Sequence, residues 1–389
     1  MSTTIVYQRL NRYLVEHLQD HLGKRSLDRL SLLVIGIIKG VHAAPAQIAA
    51  ALGELKLSPA QDESIERRIR RIENDPHLCV ERCFYPLVRA LLERCHLQEL
   101  ILVIDPTTQE DHLVLLSVNI WYRGRSLPVA WTSWPANTPL KGEGFWERVA
   151  AVLAAAASVL PAGVDVVVLA DRAFGCPAFT DLVSDHGWHW IVRVQDQTVY
   201  QDRCGCQGSI ASLVGYPGQR KKLSGQVFKK AKWRSASVLV FWGRRHRRPL
   251  CLVSDLRPAW ELLALYRRRF PIECTFRDYK SYGWHWEQGQ VRNLAHIEHL
   301  LLGMALAVWL TILAGAQFAQ SLLARPPTGT RRTRPWWGKK SLFRLGLRQW
   351  KAWLAGDEMP PLWKALPDWQ APNWSTQICA HFMRAFVFA

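Results

Sequence analysis

Apolar positions in the first hundred residues recur at helical spacing. Ser31 to Val41 is an apolar run, and an alanine-rich stretch follows from Pro45 to Leu52. Ser58-Pro59 then stands just ahead of the acids Asp62 and Glu63, which is the signature of a helix start. In the helix so predicted, Ile65, Ile69 and Ile72 mark one buried face, and Arg67, Arg68, Arg70 and Arg71 ride on the others. The pattern changes at Leu100. Leu100 to Ile104 is continuously apolar, as a strand buried on both sides must be, and Asp105-Pro106 is expected to end it. His112 to Tyr122 and Ser126 to Trp134 read as two further strands. A helix is expected from Glu143 to Leu160, a strand from Val164 to Ala170 ending at Asp171, a helix from Pro177 to His186 and a strand from Trp188 to Val194.

Three strands, helix, strand, helix, strand is the order of an α/β, ribonuclease-H-like mixed sheet flanked by helices. The segment from about 196 to 255 interrupts it. Rich in Gly, Lys and Arg, with one strong strand from Ser237 to Trp242, it reads as a small, independent β-rich insertion. Helices resume at Pro258, and Leu300 to Ala316 is seventeen residues without a charge, short for a membrane span and suited to a buried core helix. Arg325 to Lys340 is an extended basic linker, followed by a helix from Ser341 to Leu354. The expected organisation is therefore a helical domain over 1–97, a catalytic domain over 98–324 carrying the insertion, and a C-terminal region over 325–389. The early helices fit a helix-turn-helix, whose last helix would enter a major groove; they fit a plain bundle equally well.

Charge adds a partner to this picture. The net charge is +18, and it is segregated: twelve Lys/Arg and no acid lie between Arg203 and Ser254, nine and no acid between His299 and Gly356. Two basic blocks that together exceed the whole net charge point to a polyanion, most often nucleic acid. The N-terminal residues carry no secretory pattern, and nine cysteines without framework spacing suit a reducing cytoplasm.

Asp105 and Asp171 each follow a buried strand, and in this strand order the two strands are neighbours. Converging carboxylates repel unless a cation lies between them, and hard oxygen ligands suit Mg²⁺ or Mn²⁺. A third element is the stretch Tyr266 to Lys280, in which Tyr266, Arg269, Glu273 and Lys280 stand three, four and seven residues apart. This spacing resembles the YREK signature of bacterial insertion-sequence transposases of the DDE type, the IS-four family in particular. The resemblance covers most of the chain: Asp105 in Ile-Asp-Pro-Thr-Thr matches the first family acid, Asp171 in Ala-Asp-Arg-Ala-Phe-Gly the second, and Glu273 the third. It implies cut-and-paste DNA transposition in the bacterial cytoplasm, with Asp105, Asp171 and Glu273 holding two Mg²⁺ ions and Arg269, Lys280 and Tyr266 contacting phosphates near the element's end. The implied partner is double-stranded DNA, both element ends and target, bound by a homodimer with no membrane involved. A domesticated nuclease or a DNA-binding regulator on the same fold is the alternative.

Other residues carry lesser readings. Pro271 interrupts the signature helix, so Tyr266 and Arg269 are expected on a separate segment from Glu273. Arg67 and Arg70 are candidate end-binding residues. The insertion's basic residues suit a DNA-backbone clamp, with Trp233 and Trp242 as candidate base-stacking groups, though packing is the plainer reading of Trp242. Asp278 and Asp181 compete for the third acid position; Asp278 is expected as a solvated partner of nearby arginines. Cys204 and Cys206 lack a second pair at zinc spacing.

Overall fold

The computed structural model describes residues 2–56, 62–138, 140, 143–323 and 340–366. Six helices come first: α1 (Ser2–Leu18), α2 (Lys24–Gly40), α3 (Pro45–Glu54), α4 (Asp62–Glu73), α5 (Val80–Cys83) and α6 (Tyr85–Glu93). The chain then forms β1 (Glu99–Gln109), β2 (Leu113–Tyr122) and β3 (Arg125–Pro135), and passes through α7 (Glu143–Val159) to β4 (Asp165–Ala170) and through α8 (Pro177–Asp185) to β5 (His189–Arg193). Five more strands follow: β6 (Val199–Asp202), β7 (Gln207–Ser209), β8 (Arg220–Val227), β9 (Arg234–Phe241) and β10 (Leu250–Ser254). Helices α9 (Glu261–Tyr266), α10 (Pro271–Arg277), α11 (Leu294–Leu323) and α12 (Leu342–Ala355) come last.

All ten strands form one sheet in the order β3-β2-β1-β4-β5-β10-β9-β8-β6-β7. β1, β4 and β5 run parallel to one another, and the other pairings are antiparallel. The result is the mixed α/β sheet flanked by helices that the element order implies.

Two expectations change. The segment over 196–255 is not an independent module with one strand. β10 pairs directly with β5, and β9, β8, β6 and β7 carry the same sheet outward. Without β10, the buried strand β5 would present a row of unpaired backbone groups, so sheet continuation satisfies what a separate module would leave open. Nor does β1 end at Asp105-Pro106; it runs on to Gln109. Its pairing with β4 stops at Ile104–Ala170 while its pairing with β2 continues. One flank is open beyond Ile104, and proline is tolerated in such a strand.

Alternation along β1 feeds two cores. Leu100, Leu102 and Ile104 enter the main one, which the N-terminal helices and α11 share. Ile101 and Val103 enter a smaller one under α9 and α10. α11 is long and apolar enough to cross a membrane, but its apolar window is 94% buried within the protein, as expected of a core helix. Gly303 lets it lie against Leu33 and Ile37 of α2. α12 approaches α11 so closely that a side chain at Gly346 would overlap the Thr311 carbonyl. Ser341 caps α12 by accepting the Arg344 N–H.

In α4, Ile65, Ile69 and Ile72 are buried, while Arg67, Arg68, Arg70 and Arg71 are exposed. The Ser58-Pro59 start and the basic stretch up to Lys339 lie outside the described residues.

Candidate active site

The sheet's alternation fixes where the acids leave it. Ile101, Val103 and Leu169 face the smaller core, and Asp105 and Asp171 continue that parity. The backbone stays extended at Asp171, whose side chain makes no capping bond to the short turn after it. The last paired residues of β1 and β4 are Ile104 and Ala170. The two carboxylates therefore stand one step beyond, side by side on strands about 4.8 Å apart. This is the carboxyl end of the parallel strands, where open α/β sheets bind ligands.

Glu273 reaches the same place from the helices above. Tyr266 closes α9, Arg267 to Arg269 make a tight turn, and Pro271 occupies the first turn of α10. Proline suits a helix start because its missing N–H is not needed there. Tyr266 and Arg269 thus belong to segments separate from that of Glu273. The Arg269 guanidinium joins the acids, with Nη1 at 2.9 Å from Asp105 Oδ2 and Nη2 at 2.5 Å from Glu273 Oε1. On the other side, Arg193 Nη1 stands 3.9 Å from Asp171 Oδ1, an oxygen that is buried and, among the described residues, accepts no hydrogen bond.

A buried polar network holds α10 on the sheet. Thr275 Oγ1 lies 2.9 Å from Ser126 Oγ and donates to the Ser126 carbonyl at 2.9 Å. Asn119 Nδ2 donates to Ser126 Oγ at 3.1 Å, and Ser117 Oγ to Asn119 Oδ1 at 2.5 Å. Fully paired buried networks of this kind fix one geometry, here two residues from Glu273. Sequence reasoning missed these groups; the available signal was the polar pair Ser117 and Asn119 at alternate positions of an apolar strand. It also missed Arg193, for which the sequence offered no signal.

Asp278 corrects an expectation. It is buried, not solvated, and pairs with Arg125, itself buried. A carboxylate already committed to a buried guanidinium does not compete for the third position. Asp181 is exposed and bonded to Arg234.

The electrostatics follow from crowding. Burial pushes the Asp105 carboxyl up to about 6; Arg269 opposes the shift, while Asp171 and Glu273 add to it. Burial works against the charge on Arg269, but Tyr266 and the three acids outweigh it and raise its pKa. Burial likewise raises the Tyr266 hydroxyl, which packs in the smaller core. Three converging carboxylates, one with an oxygen that no described residue hydrogen-bonds, fit hard divalent cations such as Mg²⁺ or Mn²⁺. The described residues hold one tighter group of potential ligands, Glu110, Asp111 and His112, but it sits at the β1–β2 turn, further along the chain from Asp105, and includes none of the trio.

The remaining predicted residues lie elsewhere. Lys280 pairs with Glu287 at 3.3 Å. Arg67 and Arg70 are on α4. Trp242 belongs to the opposite face of the sheet, packed against the main core, with its indole N–H donated to the His246 carbonyl at 2.8 Å. Trp233 precedes β9 at the end of the sheet away from the acids, as the β8–β9 register shows.

Residues 147–310 match the family model of the transposase DDE domain. Over that stretch the chain is similar to DNA transposases of the DDE type. Asp171 and Glu273 lie inside the matched stretch and Asp105 lies before it. A cryo-EM structure of a piggyBac transposase synaptic complex with hairpin DNA aligns with 90% of this chain and 77% of that one, at 9% identity and a TM-score of 0.45. No curated protein matches this chain.

Proposed function

We propose that this protein cuts DNA at the ends of a mobile element and joins the freed 3′-hydroxyls to target DNA, as the YREK-bearing insertion-sequence transposases of the IS-four kind do. One observation carries the reading: Asp105 and Asp171 emerge side by side from neighbouring parallel strands, and Arg269 ties Glu273 to them. Strand cleavage and joining are in-line displacements at phosphorus that need little covalent chemistry from the protein. Two Mg²⁺ ions held by Asp105, Asp171 and Glu273, with Mn²⁺ able to substitute, would supply Lewis-acid activation of the attacking and leaving oxygens.

The protein's own groups do the rest. Asp105 and Asp171 are fixed by the sheet and Glu273 by the Thr275–Ser126 bonds, so the three oxygen donors are preorganised. Arg269 neutralises Asp105 and Glu273 until phosphate arrives, and its remaining N–H groups then suit phosphate oxygens. Arg193 stands on the other flank and can grip the adjoining phosphate. Tyr266 anchors the end of α9 in the smaller core, three residues before Arg269. Lys280 and the exposed arginines of α4, Arg67 and Arg70 among them, supply backbone contacts further along the duplex. Joining two ends in one complex calls for a homodimer on DNA.

The test is a strand-transfer assay with a pre-cut end in Mg²⁺. Glu273→Gln keeps the volume and removes a metal-binding charge, so cleavage and joining should both fall at least about a thousandfold while duplex binding persists. Strand transfer at the unmodified rate would move the third ligand elsewhere. Cleavage without any joining by the unmodified protein would favour a nuclease.

A further inference from the structure

The sheet places one row of residues across six strands. Asp105 stands beside Asp171, and one step beyond the last β4–β5 pair, Ala170–Val192, Asp171 stands beside Arg193. Arg193 pairs with Leu252, Leu252 with Leu239, and Leu239 with Lys222. Directly paired residues share a face, and Leu252 and Leu239 belong to the same smaller core as Ile101 and Leu169. Lys222, and Arg220 two residues before it, therefore lie on the face that carries the acids and at the same end of the sheet.

α9 covers the middle of this row. Tyr266 ends α9 beside the acids, and Trp260 precedes it at the other end. There the Arg220 guanidinium lies 4.7 Å and the Lys222 ammonium 5.7 Å from the centre of the Trp260 ring. Both cations are exposed, and among the described residues neither is in an ion pair. Arg244, Arg245, Arg247 and Arg248 lie in the β9–β10 turn at the same end of the sheet, whereas other basic residues of the segment are placed differently. Lys229, Lys230 and Lys232 are at the far end of the sheet, Lys221 faces the opposite side, and Arg234 is taken up by Asp181.

We infer that Arg220 and Lys222, laid on Trp260, form a phosphate grip for the backbone of the same DNA duplex whose cleavage point lies at the acids. The inference rests on the transposase reading above. Five inter-strand steps of about 4.8 Å separate Asp105 from Lys222, roughly 24 Å, or about seven base pairs at 3.4 Å each. Stacking on the indole restricts both side chains without consuming their N–H donors. Two cations held in this way, with no acid to neutralise them, match a polyanion with evenly spaced charges. The duplex passes over α9, touching the grip at one end and Arg269 and Arg193 at the other.

The experiment uses the full chain, a 30-base-pair linear duplex ending at the cleavage point, and the double variant Arg220→Ala with Lys222→Ala. Each phosphate contact contributes about 0.9 to the slope of log affinity against log salt. The double variant should flatten that slope by about 1.8 and lose hydroxyl-radical protection about seven base pairs from the cleavage point. Trp260→Leu keeps both charges and should weaken binding only a few-fold. An unchanged slope, or protection retained in the double variant, overturns the grip. So does unchanged duplex binding accompanied by lost binding to single-stranded RNA. If Glu273→Gln abolishes cleavage while the double variant binds as the parent does, the transposase reading stands and the grip falls. If the unmodified protein neither binds nor cuts the duplex, the transposase reading itself fails.

Discussion

Arg269→Ala offers the sharpest test of the site, because the guanidinium touches two of the three acids at once. Its contacts of 2.9 and 2.5 Å correspond to gross Coulomb energies of about 6 kcal/mol each at an effective dielectric of 20. Much of that offsets desolvation, since Arg269 is only 14% exposed. Removing one partner of a buried pair costs about 3–5 kcal/mol. The Glu273 side chain is 43% exposed, so solvent screens its share and the lower end applies. About 3 kcal/mol lost from a chain of 389 residues lowers the melting midpoint by about 4 °C, taking roughly 2 cal/mol/K of unfolding entropy per residue. The measurement is scanning calorimetry in EDTA and in Mg²⁺. In EDTA the variant should melt about 4 °C below the parent. In Mg²⁺ it should recover most of the loss, because the acids then bind cations without first giving up a guanidinium; ligand at a hundred times its Kd adds about 2.7 kcal/mol. A midpoint unchanged in EDTA, or an equal Mg²⁺ increment in both proteins, would refute the idea that Arg269 neutralises the acids.

Asp105 should make metal-free stability pH-dependent. Its folded pKa of about 6 lies above the ordinary aspartate value near 3.9, so its contribution is fully present below about pH 4 and is lost as pH rises through 6. The change is about 3 kcal/mol. Asp105→Asn should remove it, so parallel stability profiles for parent and variant between pH 4 and 8 would contradict the shift. The Mg²⁺-induced rise in midpoint should also shrink below about pH 6, where the carboxyl holds its proton. Asp278→Asn strands the buried Arg125 charge and should cost about 3–5 kcal/mol in urea unfolding, while Arg125→Met with Asp278→Leu should regain most of it. Equal losses in the single and double variants would show that packing, and not the unpaired charge, sets the cost.

Local pattern carried much of the architecture. Continuous apolar runs at Leu100 to Ile104 and Val164 to Ala170 marked strands buried on both faces, and each placed an aspartate at its end. Pro271 announced the helix start that separates Arg269 from Glu273. Leu300 to Ala316 read as a core helix because nothing charged interrupts it. Such features are legible because the period of burial is written residue by residue. Tertiary structure decided everything that depends on partners far along the chain. The register Ile104–Ala170 sets Asp105 beside Asp171. The pairing of β10 with β5 turns a supposed independent insertion into five more strands of the same sheet. Asp278 is buried because Arg125, distant in sequence, is folded against it, and Arg269 meets Asp105 only after β1 and α9 are assembled. Trp260 likewise gains its two cations from β8. Periodicity along the chain says which face of an element is buried, but charge pairing between distant residues and cross-strand register are properties of the packed whole, and no local window contains them.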